Sequence, residues 1–68
     1  MRKFRVVSVL EVADFNRCFS VHGALRRPHK GEIHRSLRAA RANASMWEAA
    51  GWYAFVVRHT PQGWVLVD

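Results

Sequence analysis

Cys18 is the only cysteine in this chain of 68 residues. No intrachain disulfide can staple the fold, so a hydrophobic core or a partner chain must supply its stability. A chain this short buries only about 60% of the surface it exposes when unfolded, which leaves a monomer marginal. It has room for one domain, 1–68, and none for a barrel or a doubly wound sheet. Half of its residues are apolar and only four are Gly and two Pro, which excludes a disordered tail.

The basic, then apolar start MRKFRVVSVLEV briefly has the look of a secretory leader. Arg5, Ser8 and Glu11 interrupt the apolar stretch, and no small-x-small cleavage site follows. The longest apolar run, Ala49 to Val57, is far short of the ~20 residues of a membrane span. The expectation is a cytoplasmic protein without a membrane partner, which also suits one unpaired cysteine.

Hydrophobic periodicity sets the expected elements. In residues 3–12, Phe4, Val6, Ser8, Leu10 and Val12 alternate with Lys3, Arg5, Val7, Val9 and Glu11, a strand pattern rich in β-branched residues. Residues 13–17, with Asp14 and Asn16, read as a turn. Residues 17–25 read as a second strand with Phe19, Val21 and Leu25 on one face, completing a hairpin. Pro28 and Gly31 break the pattern. A helix is expected from about Glu32 to Ala50, because Ile33, Leu37, Ala40, Ala44 and Trp47 step by four and three. Glu32 would favour the helix dipole and Gly51 would supply the left-handed stop. Residues 52–59 and the stretch from Gly63 onward read as strands around the turn Thr60-Pro61-Gln62-Gly63. The expected fold is α+β: a four-stranded antiparallel sheet with one helix packed on one face, in the order ββαββ.

Charge is the strongest pointer to function. The net charge is +6, and nine of the eleven basic side chains are Arg. Arg offers a planar fork of donors that fits phosphate or carboxylate, so the bias points to a polyanion or an acidic protein face. Ten of the eleven lie in residues 1–41, which carry +7; residues 42–68 carry −1. On the expected helix, His34, Arg35, Arg38 and Arg41 lie off the apolar face, and Arg26, Arg27 and Lys30 extend that cationic side into the preceding loop. Between Ile33 and Trp47 there is no acid to interleave with these cations, unlike an ordinary solvated helix face. These seven residues are the candidate contacts to nucleic acid, a nucleoprotein complex or an acidic protein surface.

Other constellations carry less. Aromatic residues on an uncovered sheet face could stack bases or form a homodimer interface; the candidates are Phe4, Phe19, Trp52, Tyr53, Phe55 and Trp64. Cys18, His22, His29 and His34 do not have the spacing of a zinc site. On a strand, Cys18 and His22 would stand about 13 Å apart, too far for one ion. His22, His59 and Arg58 could serve a small RNA-cleaving toxin as acid, base and anion holder, but no paired-carboxylate or Ser-His-Asp arrangement accompanies them. No cofactor is expected, since the four glycines are scattered and form no phosphate loop.

The order FSVHGAL, then IHRSLRAARANA, then WYAFVVRHTPQGWVLV resembles very small proteins carried by phages and mobile elements, among them anti-CRISPR inhibitors that pair a small antiparallel sheet with one helix. The resemblance covers element order over most of the chain. It implies a non-enzymatic inhibitor that occupies a surface on a host nucleoprotein complex. The basic charge departs from the acidic, DNA-mimicking members of that group.

The expected function is therefore that of a small binding protein, not an enzyme, docking an Arg-rich helix and loop on nucleic acid or a nucleoprotein complex. A protein–protein inhibitor without a nucleic-acid role is the alternative, and the RNA-cleaving toxin a second.

Overall fold

Period-two alternation at the start of the chain builds the central strand pair. In the computed structural model, which describes residues 3–26 and 31–67, β1 (Phe4–Val9) pairs antiparallel with β2 (Tyr53–Thr60). The register places Phe4 opposite Arg58, Val6 opposite Val56 and Val9 opposite Tyr53. β3 (Gly63–Leu66) returns along β2, with His59 opposite Trp64, and the sheet order is β1-β2-β3. The β2–β3 turn is closed by Thr60, whose Oγ1 accepts the Gln62 N–H and donates to the Gly63 carbonyl. Gly63 adopts φ +108°, a conformation that side chains beyond glycine rarely take.

Both faces of the sheet are covered. Phe4 and Val6 share one face with Ala54 and Val56, under α2 (Leu37–Ala49). The helix meets them through Leu37, Ala40 and Ala44. Its small alanines let the helix lie close to the sheet, and Ala40 is completely buried. On the other face, Val7, Val9 and Val57 pack against Phe15, Cys18, Phe19 and Leu25. Full burial of Val7, Val57 and Phe19 contributes about 1.5–3 kcal/mol each.

The sheet has three strands and the described residues form two helices, so the expected four-stranded, one-helix ββαββ arrangement is overturned. Residues Ala13–Cys18, read as a turn running into a strand, form α1. Phe15, Cys18 and Phe19 step by three and one, which is helical spacing, and all three reach the core. The Phe15 and Phe19 rings meet at 5.0 Å, and Phe15 meets Phe55 at 5.0 Å. Asp14 sits in the first turn and pairs with Arg17 at 3.6 Å. These tertiary and local terms outweigh the turn preference of Asp14 and Asn16.

The expected second strand is a tight loop instead. Ser20 Oγ accepts the N–H groups of both His22 and Ala24, and Gly23 takes φ +79°. Only isolated bridges remain, Phe19 to Leu25 and Ala24 to Val65. Val21, expected on one strand face with Phe19 and Leu25, is 92% exposed, whereas Phe19 is buried.

The main helix starts later than expected. Ser36 is its N-cap, accepting the Ala39 N–H at 3.1 Å, and Ile33, His34 and Arg35 precede the helix. Ile33 is exposed and outside the helix, and Trp47 sits at the rim against Trp52, so only Leu37, Ala40 and Ala44 of the expected apolar face reach the core.

Candidate functional site

The register of β1 on β2 decides where the cations meet. Phe4 stands opposite Arg58, and His59 donates its N–H to the Lys3 carbonyl at 3.0 Å. The start of β1 and the end of β2 therefore share one end of the sheet. His34 joins the same end through a reciprocal backbone bridge with Phe4, at 2.9 and 2.8 Å. Two residues later Ser36 starts α2, so Arg35 and Arg38 flank the helix N-terminus there. Lys3, Arg5, Arg35, Arg38 and Arg58, distant in sequence, thus converge with His34 and His59 on one basic end.

Within that end, Arg5 and His59 are organised by Trp64. The Arg5 guanidinium lies over the indole, with Cζ 4.8 Å from the ring centroid. His59 meets the same ring in a T-shaped arrangement at 5.0 Å. Strand alternation puts Arg5, His59 and Trp64 on the α1 side of the sheet and Arg58 on the α2 side. The cations of this end therefore project from both faces. Among the described residues, no acidic side chain pairs with Lys3, Arg35, Arg38 or Arg58.

The seven residues expected to bind fare differently. Arg35 and Arg38 are exposed at the basic end. Arg41 follows one turn further along, on the helix flank that carries Ser45 and Glu48. There it lines an apolar cleft of about 540 Å³, with Ala54, Phe55 and Leu66 among the other walls. The cationic row of the helix thus passes into a mixed-charge wall after Arg41.

His34 is half-buried, and its Nε2 is shielded from solvent with no hydrogen-bond partner among the described residues. A nitrogen shielded in this way is not offered to a partner; the main contribution of His34 is its backbone bridge to Phe4. Arg26 belongs to the layer on the other side of the sheet. Its Nε donates to the Phe19 carbonyl at 2.9 Å and its backbone N–H to the Cys18 carbonyl at 2.7 Å. Arg26 therefore ties down the loop after α1 and does not extend the cationic side of α2. Arg27 and Lys30 lie outside the described residues, as does His29.

Lys3, Arg5 and Arg58 are the members of the basic end that sequence reasoning missed. Arg58 stood alone in a neutral-to-acidic segment, and only strand pairing returns it to the basic end. Of the aromatic candidates for stacking, Phe4 and Phe19 are buried, and Trp64 already carries Arg5 over its ring. Among the described residues no cluster of His, Cys, Asp or Glu could hold a metal, and Cys18 is a half-buried free thiol. No helix of the described residues is long and apolar enough to cross a membrane. The chain matches no protein-family model, no curated protein and no solved structure.

Proposed function

We propose that the chain is a non-enzymatic binding protein that docks its basic end on the phosphate backbone of a nucleic acid, free or within a nucleoprotein complex. The observation that carries this reading is the convergence of Lys3, Arg5, Arg35, Arg38 and Arg58 on one end of the fold. Like charges held close together repel, and a folded chain this small has little stability to spare for that repulsion. A polyanion offsets it, and the guanidinium fork suits phosphate oxygens. The cations project from both faces of the sheet end, which suits a ligand that runs past that end better than one seated in a pocket. A cytoplasmic accessory or inhibitor protein of the phage type is the setting proposed with it.

Titration into labelled duplex DNA and single-stranded RNA across a salt series tests the proposal. Binding should weaken steeply with salt, by about 0.9 logarithmic units per tenfold rise in salt for each phosphate neutralised on B-DNA. Replacing Arg35, Arg38 and Arg58 together by Ala should flatten that slope by about three phosphates while circular dichroism stays unchanged. Absence of binding at low salt, or a slope untouched by the triple replacement, overturns the proposal and redirects the search to an acidic protein partner.

A further inference from the structure

We infer that the basic end takes single-stranded nucleic acid, with an unpaired base stacked on the imidazole of His59. This deepens the reading of the chain as a binder of phosphate backbone and rests on it. Lys3, His59 and Trp64 form one row across the sheet: the His59 N–H donates to the Lys3 carbonyl, and Trp64 stands opposite His59. The next row inward on this side is Arg5, Val57 and Leu66. There Val57 is fully buried, and Leu66 packs against the core of the α1 side. The row of His59 is thus the first beyond that core, and His59 is exposed.

Trp64 holds the imidazole in place. Its indole carries the Arg5 guanidinium at 4.8 Å and meets the His59 ring at 5.0 Å, with 67° between the two ring planes. An edge-to-face pair leaves at least one face of the imidazole clear of the indole. A flat ring stacking on that face meets a side chain already positioned, so little further freedom is lost on binding. Imidazole rings and guanidinium planes are both platforms on which splayed-out bases lie.

Charge favours a nucleic-acid strand as the source of that ring. Lys3 stands beside His59 in the row, Arg58 precedes it in β2, and Arg5 lies over Trp64. Each nucleotide of a single strand offers one phosphate and one free base, which matches cations set around an exposed ring. A duplex offers the phosphates but keeps its bases stacked and paired. The acids do not neutralise this row. Asp14 is paired with Arg17, Glu11 follows the far end of β1, and Glu48 lies near the end of α2, lining a cleft with Ala54 and Phe55. Glu32, two residues before His34, forms no ion pair among the described residues.

Anisotropy titrations at neutral pH compare oligothymidylate with an abasic oligonucleotide of equal length, which carries the same phosphates and no bases. The wild type should bind the abasic strand about tenfold more weakly, the size of one lost base stack. His59→Ala should lose about tenfold on oligothymidylate, bind both strands alike, and keep its salt slope and circular dichroism. His59→Phe, which restores a ring, should recover the preference. Duplex DNA should be bound equally by the wild type and His59→Ala. Equal wild-type affinity for the two single strands overturns the inference and leaves the phosphate reading standing. A His59→Ala loss that is as large on duplex DNA also overturns it, because the imidazole then serves the phosphates or the fold. Failure to bind any of the three ligands at low salt overturns both readings together.

Discussion

The Arg5 guanidinium lies over the Trp64 indole at 4.8 Å, joining the first strand to the last across the width of the sheet. Arg5 and Trp64 flank β2 from opposite sides, and His59 of β2 closes on the same ring. The cation is thereby placed over the ring at the sheet end. A cation–π contact at a partly exposed site contributes about 0.5–1 kcal/mol. A double-mutant cycle on urea unfolding, with Arg5→Met and Trp64→Leu, should return a coupling energy of that size. Strict additivity of the two single variants would show that the stack contributes nothing.

Ser36 sets where the main helix begins. Its side chain satisfies the Ala39 N–H, one of the four donors that a helix start leaves open. Ser36→Ala should cost about 1 kcal/mol, and Ser36→Asp should retain most of the stability. Chemical denaturation reads both. Equal stability of Ser36→Ala and the wild type would remove the cap from the account and reopen a helix start nearer Glu32.

His34 separates a structural role from a binding one. Its backbone holds Phe4, while its Nε2 is shielded and unsatisfied among the described residues. An unmade hydrogen bond at a shielded group costs about 1–3 kcal/mol, and an apolar side chain of similar size avoids that cost. His34→Leu should therefore leave stability unchanged or raise it by up to about 1 kcal/mol, with affinity for nucleic acid intact. A loss of affinity without a loss of stability would return His34 to the binding surface.

Much of the sheet was legible because β1 lies in a stretch with a local period of two, β2 is rich in aromatic and β-branched residues, and a clear turn links β2 to β3. The segment from Ala13 to Leu25 was not, because its apolar residues fit two periods at once. Phe19, Val21 and Leu25 alternate as on a strand, whereas Phe15, Cys18 and Phe19 step as on a helix. The aromatic cluster of Phe15, Phe19 and Phe55 decides for the helix, and that cluster exists only after folding. The helical cations Arg35 and Arg38 could be read from spacing, but Lys3, Arg5 and Arg58 join them only through strand register. Val21 reports directly on this difference. As a strand residue facing the core, Val21→Asp would cost several kcal/mol; in the observed loop it should change stability by less than about 0.5 kcal/mol. A thermal melt of the Val21→Asp variant distinguishes the two arrangements.

Arg58 and Arg17 give the sharpest contrast for the basic end. Both are exposed arginines on regular elements. Arg58 stands opposite Phe4 at the convergence of cations, whereas Arg17 is on α1, paired with Asp14. Net charge changes equally in Arg58→Ala and Arg17→Ala, so a ligand attracted only by overall charge would respond equally to both. A ligand docked on the basic end should respond to Arg58→Ala alone, with the salt slope falling by about one phosphate, as it should for Arg38→Ala. Anisotropy titrations at matched salt concentrations make the comparison. Equal losses for Arg17→Ala and Arg58→Ala would reduce the interaction to diffuse attraction and leave the fold without a localised binding surface.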